Sequence, residues 1–193
     1  MDFPQVERLL ASIKAESGIA DFVIMGSISV LGVMLGHDIP AGMILSNNLN
    51  AYPRLDPNRA QSLTRAWGQG SAFERQHGYY FDAISPSLPT LPSGWEQRLI
   101  THTLAGGVKA SFLEPNDAAI SKYARGEERD KRWIREGLRA SILSLATIEY
   151  RCRETVFLDQ AEQARAKAAI AADRDWVARG FRDGAKRHKP YSA

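Results

Sequence analysis

Residues 21–53, DFVIMGSISVLGVMLGHDIPAGMILSNNLNAYP, carry the reading on which the rest of the chain depends. Phe22 to Met25 is a short apolar run closed by glycine, which predicts a buried strand over 21–26. Gly26-Ser27 breaks it. Ile28, Val30, Leu31, Val33 and Met34 then predict a helix over 27–35 that is apolar nearly all round and buried against a sheet. A strand that breaks at Gly-Ser into a helix presents backbone N–H groups and a hydroxyl to an anion. Residues 42–52 read as a second strand, stopped by Pro53. Within it Asn48 and Asn50 lie two apart, so their side chains share one face.

Outward from this stretch, composition bounds the answer. The chain has 193 residues, 44% of them hydrophobic, enough for one domain with a sizeable core. It lacks a run of about 18 apolar residues, so no membrane span is expected. The opening MDFPQVERLL lacks the basic-then-apolar pattern of a signal peptide. The single cysteine, Cys152, excludes an internal disulfide and fits a reducing cytoplasm; on a helical segment it reads as a half-buried structural residue. The net charge of +3 is concentrated late, where Arg174, Arg179, Arg182, Lys186, Arg187 and Lys189 face only Asp175 and Asp183. Such a tail could track RNA phosphates, though a charged helix end is more often simply solvated.

Val6, Leu9, Leu10 and Ile13 recur at helical spacing and predict an amphipathic helix over 3–17, ended by Gly18. His37 reads as a loop residue, because no second histidine or cysteine lies at metal spacing. Asp56 stands where an N-cap belongs, with Pro57 at the first helical position of a helix running to Trp67. A further helical turn is expected over 71–77. Tyr79 to Ile84 has strand composition, with Tyr80, Asp82 and Ile84 on one face. Residues 98–104 and 108–113 form a predicted hairpin about Gly106-Gly107. Pro115 suits the start of a helix, with Glu114 a poor cap. Beyond it only helices are expected: 118–124, 127–139 about a bend at Gly126, 145–154 capped by Ser144, and a long one opened by Asp159. The fold class is therefore α+β, with an α/β core over 1–113 and a helical region over 114–193.

Three separated signals occur in order: Gly26-Ser27 with Asn48-x-Asn50; Leu91-Pro-Ser-Gly94-Trp95-Glu-Gln-Arg98-Leu99; and Phe112-Leu-Glu-Pro115-Asn-Asp117-Ala-Ala-Ile-Ser-Lys122 followed by Arg129-Asp130. Together they resemble a bacterial group of nucleotidyltransferase-fold proteins related to the toxins of AbiEii-type toxin–antitoxin systems, over roughly Asp21 to Leu138. The resemblance implies a nucleotidyltransferase-like mixed sheet with flanking helices. It implies that Gly26 and Ser27 bind nucleotide phosphates, that Lys122 and the Arg129-Asp130 dipeptide complete the site, and that NTP with Mg²⁺ or Mn²⁺ is the cofactor set. It further implies transfer of a nucleotidyl group to RNA or a protein hydroxyl, and an antitoxin as a partner protein. The family's metal pair is Asp-x-Asp, and it falls here on Asn48 and Asn50.

That departure has a physical consequence. Mg²⁺ binds through anionic carboxylates and phosphate oxygens, whereas an amide offers one neutral oxygen and an NH₂ that repels a cation. Asp82 is a third candidate metal ligand, though it reads more simply as a strand-end aspartate in water. On one ideal helix Lys122 and Asp130 would diverge by about 80°, close enough to border one site. The bland alternative leaves Lys122 an exposed helix lysine and Asp130 the ion-pair partner of Arg125. Trp95 and Trp133 read as core or junction aromatics. Two functions stay open: a toxin-like nucleotidyltransferase with metal catalysis weakened at Asn48 and Asn50, or an inactive nucleotide-binding or partner-binding module.

Overall fold

The computed structural model describes residues 1–34 and 38–181. His37 and the tail residues Arg182, Lys186, Arg187 and Lys189 lie outside them, so the loop reading of His37 and most of the basic-tail reading do too. The expected α+β class holds: a five-stranded mixed sheet is flanked by helices, and the regular elements after the last strand, among the described residues, are helices.

The helix α1 (Phe3–Ser17) buries Val6, Leu9, Leu10 and Ile13, the residues its periodicity selects. Asp2 and Gln5 close a reciprocal capping box at its start, and Gly18 ends it in a left-handed conformation. Five strands follow: β1 (Asp21–Ile24), β2 (Asn48–Pro53), β3 (Tyr80–Ala83), β4 (Ile100–Leu104) and β5 (Val108–Phe112). Their order across the sheet is β3-β2-β1-β5-β4. Strand β1 is central, antiparallel to β2 and parallel to β5, while β2 and β3 run parallel and β4 and β5 form the expected antiparallel hairpin. The run Phe22, Val23, Ile24 is buried throughout, as a central strand covered on both faces requires.

Two expectations around β1 are corrected. The segment after Gly26 is a 3₁₀ helix, Ser27–Val33, rather than an α-helix, and residue 35 of the expected span lies outside the described residues. Its tighter winding brings Gly32 so near β5 that a Cβ there would lie 2.6 Å from Cβ of Phe112. The second strand begins at Asn48, not at 42, because Ala41–Met43 forms another 3₁₀ turn. Asp56 also fails as a cap: its side chain makes no capping hydrogen bond, and a 3₁₀ turn Pro57–Arg59 precedes α2 (Ala60–Trp67). The short α3 (Ala72–His77) is capped by Ser71.

The junction between β5 and the helices corrects a fourth reading. Glu114 is an effective cap for α4 (Pro115–Arg125), accepting from the backbone N–H groups of Asn116 at 3.0 Å and Asp117 at 3.1 Å. Asp117 is fully buried one turn on. Arg98 grips its carboxylate with two donors, at 2.8 and 3.2 Å, and Arg151 of α6 (Leu145–Arg153) donates to Asp117 at 2.8 Å and also to Glu114. Planar guanidinium forks suit such paired contacts. The second and third sequence signals thus meet in one ion cluster that orients α4. The remaining helices are α5 (Glu128–Arg139) and α7 (Gln160–Ala178), the latter capped by Asp159. One buried apolar cluster runs from Val6 to Trp176 through sheet and helices alike.

Asp117→Ala strips two guanidinium groups of their shared partner. It is expected to lower unfolding stability by about 3 kcal/mol, read as a shifted urea midpoint at unchanged slope.

Candidate functional site

The site forms where β1 ends. Gly26 has φ 67° and ψ −151°, a region open essentially to glycine alone. Space demands glycine as well, since a Cβ there would lie 2.6 Å from the Nδ2 of Asn50. The sharp turn is what delivers Ser27 to the mouth of the sheet, beside the end of β2, where Asn50 accepts the backbone N–H of Met25 at 2.8 Å through its carbonyl.

Lys122 reaches this turn from α4. Its ammonium donates to Oγ of Ser27 at 2.8 Å and to Oδ1 of Asp130 at 3.2 Å, and lies 4.6 Å from the ring centroid of Trp133. It is no exposed helix lysine: only 4% of it meets solvent. Asp130, 1% exposed, also receives two hydrogen bonds from Arg125, at 2.8 and 2.5 Å. The Arg125–Asp130 pairing and the Lys122–Asp130 pairing therefore coexist. They can do so because the chain does not continue as one helix. Gly126 ends α4 in a left-handed conformation, φ 76°, and α5 turns Asp130 back toward Lys122. Trp133 is buried as expected, but its indole N–H has a specific task, donating to the carbonyls of Met43 at 3.0 Å and Ser27 at 3.3 Å.

Burial pulls the Lys122 ammonium down to about 8, although Asp130 opposes the shift. Burial pushes the Asp130 carboxyl up, but the hydrogen bonds and charges of Arg125 and Lys122 outweigh it and hold it below the ordinary carboxylate range. Arg129 is elsewhere: it faces solvent and pairs with Glu127 at 2.6 Å, on the rim of the cleft.

On the other side of Gly26 the polar strand ends meet. Asn50 of β2 stands opposite Asp82 of β3, and the amide NH₂ of Asn48 donates to Asp82 at 2.7 Å and to Oδ1 of Asn50 at 3.1 Å. The carbonyl oxygen of Asn48 accepts from Oγ of Ser46. So the structure brings Asn48, Asn50 and Asp82 together, yet their donors and acceptors satisfy one another. A divalent ion would find one carboxylate already hydrogen-bonded and two neutral amides, an arrangement that does not fit a two-carboxylate clamp. Among the described residues no cluster of three or more His, Cys, Asp or Glu side chains is placed to hold a metal.

A cleft of about 850 Å³ opens over these groups, lined by Gly26, Ser27, Asn48, Asn50 and Asp82 and bordered by Arg125, Arg129 and Arg132. A second lobe of about 430 Å³ adjoins it and shares Gly26, Asn50 and Arg125. Its walls include Thr90, Ser121, Glu162 and Arg165, residues that sequence reasoning missed. They come from a proline-rich loop, α4 and α7, and no local pattern joins segments so far apart. Arg132 was discoverable in principle, lying three residues after Arg129 on the same helical face.

A family model described as "Nucleotidyltransferase of unknown function (DUF6036)" matches residues 2–179, and the chain belongs to that family. No curated protein and no solved structure matches it. No helix among the described residues is long and apolar enough to cross a membrane.

Asp130→Asn leaves the buried Lys122 without its counter-charge and Arg125 with only Glu127, 3.5 Å away, and is expected to lower stability by about 3 kcal/mol at neutral pH. Because the Asp130 carboxyl titrates below its unfolded value, its contribution is complete above the unfolded pKa and disappears as pH falls through the folded one. Denaturant titrations between pH 2 and 7 should show that acid limb in the wild type and a shallower one in the variant.

Proposed function

As the premise is a nucleotidyltransferase family, we propose that the cleft binds the phosphates of a nucleoside triphosphate and that metal-dependent nucleotidyl transfer is weakened or lost at Asn48 and Asn50. The observation that carries the reading is the Lys122 ammonium, held nearly dry against Ser27 beside a cleft rimmed with arginines. A desolvated cation costs folding free energy, and an arriving phosphate oxygen supplies the anionic neighbour that offsets that cost. Gly26 and Ser27 place the hydroxyl, Lys122 neutralises the nearest phosphate, and Arg125, Arg129 and Arg132 take the outer charges. Asp130 positions Lys122 and Arg125 without touching the ligand.

For transfer chemistry an acceptor hydroxyl must be activated and charge on the phosphates neutralised as the bond breaks. The arginines and Lys122 meet the second need. Nothing among Asn48, Asn50 and Asp82 meets the first as they are hydrogen-bonded here. This favours the nucleotide-binding module over the active enzyme. A second reading, residual transfer to RNA or a protein hydroxyl, rests on Asp82, the one carboxylate left at the strand ends. A toxin-like role with an antitoxin partner belongs to that second reading.

Calorimetry with each of the four NTPs in EDTA should give binding that weakens about tenfold or more in Ser27→Ala and Lys122→Gln, with melting curves reporting that both variants fold. Absence of any NTP binding by the wild type would sink the proposal. Affinity should fall as pH rises through about 8, since the free protein loses the Lys122 proton there and the bound phosphate demands it back. Lys122→Arg should lack that inflection. Labelled NTP, Mn²⁺ and total RNA should yield no transfer; transfer that Asp82→Asn abolishes would favour the second reading.

A further inference from the structure

The smaller lobe of the cleft adds apolar wall to the larger one. Leu113 and Ala118 join Ile84 and Leu88, which line both lobes, and its volume of about 430 Å³ lies within the usual range for small-ligand pockets. Two charged groups face it from α7: Glu162 and, three residues on and on the same helical face, Arg165.

Both are anchored by contacts that leave their outer atoms available. The Glu162 carboxylate accepts from Oγ1 of Thr90, 3.1 Å from each oxygen, and from the backbone N–H of Leu158 at 2.7 Å. An ionised carboxylate has about four lone-pair positions, so acceptor capacity remains. The Nε of Arg165 donates to the carbonyl of Ala124 at 2.8 Å, and its stem occupies space that exists because residue 126 is glycine: a Cβ there would lie 2.8 Å from Cδ of Arg165. The terminal nitrogens of its guanidinium are left to donate. The glycine that returns Asp130 to Lys122 thus also seats Arg165.

We infer that this lobe is a guanine-selective base subsite, with Glu162 accepting from N1–H and the N2 amino group and Arg165 donating to O6 and N7. The inference rests on the nucleotide-binding reading above. Guanine alone among the bases presents two adjacent donors and, beside them, acceptors that an arginine fork matches. Adenine offers one donor, at N6, and sets an acceptor at N1 against the carboxylate. Pyrimidines lack the second ring that the apolar walls would cover. The two lobes meet at Gly26, Asn50 and Arg125, and Lys122 of the smaller lobe donates to Ser27 of the larger, so a base held by Glu162 and Arg165 directs its phosphates toward that junction.

The test compares GTP, ITP, ATP, UTP and inorganic triphosphate by calorimetry on the full chain in EDTA. GTP should bind tightest, and ITP, which lacks only the N2 amino group, about tenfold or more weaker. Glu162→Gln should bring the GTP-to-ITP ratio near one and leave triphosphate affinity unchanged, which also reports that the variant folds. Arg165→Met should weaken GTP with the same indifference toward triphosphate. ATP or UTP binding as tightly as GTP, or a ratio that survives Glu162→Gln, would overturn the assignment. Triphosphate binding as tightly as GTP would remove the base subsite and leave the phosphate reading standing. If neither binds, the phosphate reading itself falls, and the subsite with it.

Discussion

The site depends on a lysine ammonium that has been taken almost wholly out of water. Leaving such a charge unpaired would cost several kcal/mol, so everything that reaches Lys122 must be in register. The Ser27 hydroxyl, the Asp130 carboxylate and the face of Trp133 together replace its hydration shell. They arrive from two elements: the turn after the central strand brings Ser27, and α5 brings Asp130 and, about one turn further on, Trp133. The constraint therefore fixes the relation between sheet and helices. The Arg98–Asp117–Arg151 cluster does the same at the other end of α4, holding the helix at its first turn while Lys122 holds it near its last.

Much of this was legible in the sequence, and the misses have identifiable causes. Helices with clean apolar periodicity and polar caps, such as α1 with Asp2 or α7 with Asp159, follow from local chemistry. The class and the hairpin about Gly106 follow for the same reason. What failed was the stretch from Gly26 to Asn47, apolar enough to suggest helix and then strand, where packing against β5 and α5 imposed 3₁₀ turns. Short apolar runs do not distinguish these states by composition. Glu114 looked a poor cap because glutamate is long, yet Arg151 and the Asn116 amide hold its carboxylate over the helix start.

The candidate residues divide along similar lines. Ser27, Lys122 and Asp130 were identifiable through motif resemblance, and the structure sets them in direct contact; Asn48, Asn50 and Asp82 also converge. Arg129 does not join them, because helical geometry points it to the rim. Lys122 and Asp130 come closer than ideal-helix spacing allows, since that spacing omits the left-handed break at Gly126. Thr90, Glu162 and Arg165 belong to no motif. Their meeting is a product of tertiary packing between a loop and a helix some seventy residues later.

The Asn48–Asp82 contact has a consequence for how the strand ends meet. Were residue 48 an aspartate, two carboxylates would face each other across a 2.7 Å gap, and the strand ends would come together only with a captured proton or a counter-ion. The amide supplies its own N–H in that gap. The meeting of the β2 and β3 ends therefore needs neither a captured proton nor a counter-ion in that gap.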